Sequence, residues 1–146
     1  MLLGCSLQEA EDLTQTTLAR CFTSWSKVQA ARHRDAYVAK VLINVHRQSR
    51  RRRWWDEKPA DHLPEQGQAD MTAHVAGVDA VHRALGDLTP GQREVVVLRF
   101  YAQLSEQETA EALGVAVGTV KSRMSRALEL LTNNSHLVDL RDGGNS

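Results

Sequence analysis

Apolar positions recur at spacings of three and four along most of this chain, which predicts helices. The sharpest passage is Leu104 to Leu131. Ser105 stands before its first helix with Glu108 three residues on, so hydroxyl and carboxylate can each satisfy a free backbone N–H at that end. Ala110 and Leu113 form the inner side, and Gly114, which takes the left-handed conformation at little cost, ends the helix. In a second helix Val120, Met124, Ala127, Leu128 and Leu131 form an inward stripe. Two helices about a tight turn make a helix-turn-helix, the arrangement that lays its second helix in the DNA major groove. Lys121, Ser122, Arg123, Ser125 and Arg126 occupy the outer side. Short hydroxyls let the backbone approach, and cations reach phosphates or guanine edges. A plain amphipathic surface helix is the alternative, and it leaves the joint occurrence of cap, turn and basic helix unexplained.

Four further periodic segments lie upstream. From Ser6 to Trp25, Ser6 and Glu9 have capping spacing, and Ala10, Leu13, Thr17, Leu18, Cys21 and Trp25 make a core stripe. The other side, Asp12, Gln15, Thr16, Ala19 and Arg20, suits solvent or a protein partner. Lys27 to Arg34 reads as a short basic loop. From Asp35 to Arg53, Val38, Val41, Leu42, Val45 and Ser49 face a core, while Tyr37, Lys40, Asn44, Arg47 and Arg51 cluster within about 80° on the other side. An aromatic that can stack, an amide that can read a base edge and three cations suit strand-separated DNA. Trp54 and Trp55 either add stacking surface or pack back onto their own domain. Residues 56–78, acid-rich with two prolines and two glycines, read as a linker. Val78, Val81, Leu85 and Leu88 then mark a helix, and Thr89-Pro90 starts another whose Val96, Val97 and Phe100 pack inward.

Net charge is zero over 146 residues, but the charges are sorted. Residues 27–58 hold ten Lys or Arg against three acids, whereas residues 59–92 hold one Arg against five acids, so a block with phosphate affinity precedes an acidic connector. No apolar run approaches the roughly 18 residues of a membrane span, and the start has no signal-peptide pattern, so a cytoplasmic protein is expected. Cys5 and Cys21 make no CxxC, and the six histidines are scattered with no nucleophile beside them, which gives no reason to expect a metal, a cofactor or catalysis. The expected fold is all-α: two small helical domains, residues 1–55 and 79–132, joined by a flexible linker at 56–78, with a frayed tail at 133–146.

Four stretches, AEDLTQTTLARCFTSW (10–25), DAYVAKVLINVHRQSRRRRWW (35–55), LTPGQREVVVLRFYAQLSEQETAEALG (88–114) and VGTVKSRMSRAL (117–128), together resemble the extracytoplasmic-function sigma factors of bacterial RNA polymerase, in particular their actinobacterial SigE-type branch. The resemblance implies a non-catalytic subunit with sigma region 2 at 1–55 and a winged-helix-like region 4 at 79–132. Asp12, Gln15, Thr16 and Arg20 would dock on the β′ clamp helices of core polymerase. Tyr37, Lys40, Asn44, Arg47 and Arg51 would read the minus-10 element, with Asn44 at the base-contacting position and residues 27–36 walling the pocket for a flipped base. Thr119, Lys121, Ser122, Arg123, Ser125 and Arg126 would read the minus-35 element, and the β flap and an anti-sigma factor are further implied partners.

Relatives carry additional helical sequence before the AEDL motif, so region 2 is expected to be incomplete, with its stripes short of apolar partners. Ser125 stands where some relatives have an aromatic, so their promoter preference does not transfer. Two other readings stand beside the sigma factor: a self-contained helix-turn-helix regulator, and a truncated sigma acting as an interaction protein.

Overall fold

The computed structural model describes residues 2–56, 72–135 and 137, and contains no strand among them. The N-terminal half comprises α1 (Leu7–Thr23), α2 (Trp25–Ala30) and α3 (Arg34–Asp56); the C-terminal half comprises α4 (Thr72–Gly86), α5 (Pro90–Val96), a π-helical turn at Val97–Tyr101, α6 (Glu106–Leu113) and α7 (Val117–Thr132). The all-α expectation holds. The region-4 unit carries its helix-turn-helix, with no β-strand among the described residues. The linker expectation at 57–71 lies outside the described residues, and α4 begins at Thr72, inside the stretch read as linker.

Helix starts follow the local chemistry. Ser6 with Glu9, Thr89 with Gln92 and Ser105 with Glu108 each form reciprocal capping boxes, and Pro90 occupies the first turn of α5. The segment expected as a loop at 27–34 is helical to Ala30, because the chain only kinks at Ser24, with no proline or glycine to break it. At Val97–Tyr101 the backbone bonds skip one extra residue, as in Ala102 N–H to the Val97 carbonyl at 3.0 Å. That insertion turns Phe100 outward to 63% exposure, although its spacing from Val96 and Val97 predicted burial.

α3 is the central element. It packs on α1, with Val38 and Leu42 lining the space between the two helices; Val45 is buried, and the expected partner Ser49 is exposed. A second side carries Ala36, Ala39, Ile43 and His46, with Ile43 roughly 140° around the helix from the first stripe. This side packs on α6. Ile43, fully buried, shares one core with Val95, Leu98, Leu104, Ala110, Leu113 and Val120, so the two halves rest directly on each other. Leu2 and Leu3 also pack on the C-terminal half. A groove of about 640 Å³ remains open between α1, α3 and the π turn, lined by Leu13, Val38, Leu42, Leu98 and Tyr101 among others.

Several expected core residues are on the surface. Leu18 (61% exposed) and Trp25 (54%) fall outside the buried Thr17–Cys21 line of α1, and Leu128 on α7 is 41% exposed. Each is one residue, hence about 100°, from a buried neighbour or past a break in the helix. Trp54 and Trp55 are 82% and 84% exposed and do not pack back onto their domain.

Candidate nucleic-acid interface

The helix-turn-helix is built by local bonds. Ser105 Oγ accepts the Glu108 N–H at 3.0 Å and Glu108 Oε2 accepts the Ser105 N–H at 2.7 Å. Those bonds from Ser105 hold the Glu108 carboxyl below its ordinary range. Gly114 is left-handed (φ 66°), a conformation that would strain any residue with a Cβ, and it delivers the chain to α7. Thr109, Ala110, Leu113 and Val120 lock the two helices together from inside. Ala116, the residue before α7, offers no side-chain acceptor, which leaves the first N–H groups of that helix to water or a phosphate.

On the outer side of α7, Lys121, Ser122, Ser125 and Arg126 are exposed together. Lys121 Nζ lies 3.7 Å from Glu106 Oε2, and Ser122 Oγ donates to the Thr119 carbonyl at 3.1 Å. Thr119 and Arg123 are half-buried; the Arg123 guanidinium lies against Gly91, where a Cβ would come within 3.1 Å of Cζ.

On α3, Lys40, Asn44 and Arg51 are exposed and Tyr37 is half-buried. Arg47 is engaged. Its Nε and Nη2 donate to both oxygens of Glu94 on α5 at 3.1 and 2.7 Å, and that bonding raises its pKa. Glu94 was not legible as a partner, since it is one acid at the head of an apolar run. Arg93 beside it serves the fold, because its guanidinium donates to the Leu85, Gly86 and Leu88 carbonyls and closes the end of α4. The two basic faces therefore meet. Arg47 and Arg51 of α3 and Arg123 of α7 line one cleft, together with Arg50, whose place in an arginine run hides its role in the sequence.

On α1, Asp12, Gln15, Thr16 and Arg20 are exposed, and Arg20 Nη2 donates to Gln48 Oε1 of α3 at 2.9 Å. Leu18 and Phe22, the latter 81% exposed, border this polar face and give it an apolar component that the helical period does not reveal. Glu9 pairs with Arg53 across α1 and α3. Burial raises the Glu9 pKa, but the Ser6 hydrogen bonds and the Arg53 charge outweigh it and hold the group below its ordinary value. No group of His, Cys, Asp or Glu among the described residues could hold a metal ion.

Between the halves, His46 is buried beside Arg50, Arg53, Arg93 and Glu94; burial first, then the Arg50 charge, depress its pKa below 6.5. The folded chain refuses a proton that the unfolded chain accepts below that value. Stability is therefore expected to be full above about pH 6.5 and to fall as pH drops toward 5, before most carboxylates titrate. Thermal midpoints across that window would check it, and His46→Gln should flatten the decline.

A capped helix-turn-helix with a basic outer helix, next to a second basic helix carrying an exposed amide and cations beside a half-buried aromatic, defines a DNA-binding transcription protein. Residues 79–131 match the family described as Sigma-70, region 4. The chain is 43% identical over 132 residues to the RNA polymerase sigma-E factor of Streptomyces coelicolor, covering 90% of this chain and 75% of that one. It is 31% identical over 145 residues to the ECF RNA polymerase sigma factor EcfG of Rhodopseudomonas palustris, covering 97% and 80%. Its fold matches the sigma factor RpoE of Bartonella quintana, solved in complex with the anti-sigma factor NepR, with a TM-score of 0.69 and 28% identity over 89% of this chain and 82% of that one. The chain belongs to the extracytoplasmic-function RNA polymerase sigma factors, of the SigE type, and its function is promoter-directed initiation of transcription. No helix among the described residues is long and apolar enough to cross a membrane.

Proposed function

We propose that residues 1–55 act as the core-polymerase and minus-10 unit and residues 79–132 as the minus-35 unit, with 56–78 as the linker between them and 133–146 as a tail. The observation that carries this is the exposed, capped helix-turn-helix whose Lys121, Ser122, Ser125 and Arg126 stand together on one side of α7. Thr119 and Arg123 flank them. Tyr37, Lys40, Asn44, Arg47 and Arg51 read the minus-10 element as the strands part. The α1 face of Asp12, Gln15, Thr16 and Arg20 docks on the β′ clamp helices; the exposed Leu18 and Phe22 beside it favour a protein partner over plain solvent. The β flap and an anti-sigma factor are further partners, and the protein works in the cytoplasm without catalysing a reaction itself.

The packed halves must move apart on a promoter. Elements centred near minus 10 and minus 35 lie about 25 base pairs apart, roughly 85 Å along a duplex at 3.4 Å per step. A compact chain of 146 residues has a radius of gyration of only about 15 Å. Both elements can be held only after α3 and α6 separate, so polymerase and promoter together must open the interface around Ile43.

In vitro transcription with bacterial core polymerase on a pool of promoter fragments tests the reading. Specific transcripts that depend on this chain support it; core binding without transcripts would make it an interaction protein, and duplex binding without core binding a self-contained regulator. Arg126→Ala is expected to weaken minus-35 binding by about 1–3 kcal/mol and relax sequence choice there. An equal loss on every sequence, measured by competition binding, would make Arg126 a phosphate contact.

A further inference from the structure

The cleft between α3 and the α5–α7 side holds more positive charge than the fold neutralises. Arg47, Arg50 and Arg51 line it from α3, Arg123 from α7, and Pro90, Gly91 and Glu94 from α5, around a volume of about 330 Å³. Glu94 is the one carboxylate in that lining, and Arg47 occupies both of its oxygens. Among the described residues, the ion pairs of the chain include none made by Arg50, Arg51 or Arg123. Gly91 lets the Arg123 guanidinium close against the backbone. Among the described residues, three guanidiniums from two different helices thus converge on one space with no ion-pair partner of their own.

We propose that this cleft binds a small polyphosphate anion of the di- or triphosphate class, bridging α3 to α7 and holding the two halves together. Guanidinium forks match phosphate oxygens two at a time. A single carboxylate or halide could serve one fork, whereas linked phosphoryl groups present tetrahedral oxygens to several forks at once. The volume is roughly ten times the share of one water in the liquid, which accommodates such a chain. The site exists only while the halves are packed. The anion site rests on that arrangement alone; the mutual exclusion of anion and promoter DNA rests on the proposed function, in which Arg47, Arg51 and Arg123 also belong to the DNA faces.

Calorimetric titration of the full chain with inorganic tripolyphosphate, at ionic strength held constant with sodium chloride, tests this. Saturable binding of one anion per chain is expected, weakened roughly ten-fold by Arg50→Ala and by Arg123→Ala. Arg52→Ala, an exposed arginine of α3 outside the cleft lining, should leave the affinity unchanged. Absence of saturable binding would overturn the proposal, as would equal losses in all three variants, which is the mark of general charge attraction. A short single-stranded oligonucleotide forms the second arm. If it alone shows dependence on Arg50 and Arg123, the cleft is a stretch of the nucleic-acid path and the polyphosphate site is refuted. Arg50 is exposed, so Arg50→Ala alone decides the matter if Arg123→Ala does not fold.

Discussion

Ile43→Ala is expected to lower the thermal midpoint of the free protein by roughly 5–15 °C while strengthening its assembly with core polymerase on a two-element promoter. Ile43 has no exposed surface, and the buried residues that share its core all come from Val95 onward. Truncating such a side chain costs about 2–5 kcal/mol, and a chain of this size shifts by about 2–4 °C per kcal/mol. The cost falls on the packed arrangement alone. Once α3 and α6 have separated, residue 43 faces solvent and alanine is no worse than isoleucine. The substitution thus removes part of the work of opening, and a ligand that selects the open arrangement gains what the packed one loses. Circular dichroism melts and assembly measured on a dual-element promoter would check both halves of the expectation. An unchanged midpoint would mean that the α3–α6 interface is not formed in solution.

The Arg47–Glu94 pair should respond asymmetrically. Glu94 is the buried partner, with 7% of its side chain exposed against 36% for Arg47. Arg47→Ala strands a carboxylate away from water, and breaking a buried pair this way costs about 3 kcal/mol, discounted toward 2 because the arginine end is partly solvated. Glu94→Gln leaves an arginine that can turn to water and still donate to the amide oxygen, at a cost of about 1 kcal/mol. The double variant should resemble Glu94→Gln alone, since no charge is left stranded. Urea unfolding of the three variants gives the cycle directly. Equal losses from both single substitutions would show that the pair behaves as a surface contact.

What the sequence made legible was local. Capping at Ser6, Thr89 and Ser105 and the left-handed Gly114 depend on residues within a few positions of one another, so spacing alone revealed them. The exposed faces of α3 and α7 were legible for a related reason: helical period sorts polar from apolar without reference to the rest of the fold. The second buried side of α3 was not. Ala36, Ala39, Ile43 and His46 are small or mixed in character, and their burial is decided by α6, far along the chain. Arg47 borders that side, which explains how a residue whose helical face suits DNA comes to be held by Glu94. Phe100 shows the converse failure, in which the period itself slips by one residue at the π turn and carries an aromatic from the expected interior to the surface.

Trp25, Trp54 and Trp55 are all the tryptophans of the chain, and every one lies in the N-terminal half with more than half of its surface in water. Tryptophan fluorescence therefore observes only one side of the molecule. Emission will begin near that of a solvated indole, so loss of structure in the C-terminal half passes almost unseen, while any partner that covers the end of α3 announces itself by a blue shift. The protein carries a label-free optical reporter for docking on its basic helix, and the same reporter is nearly blind to the helix-turn-helix.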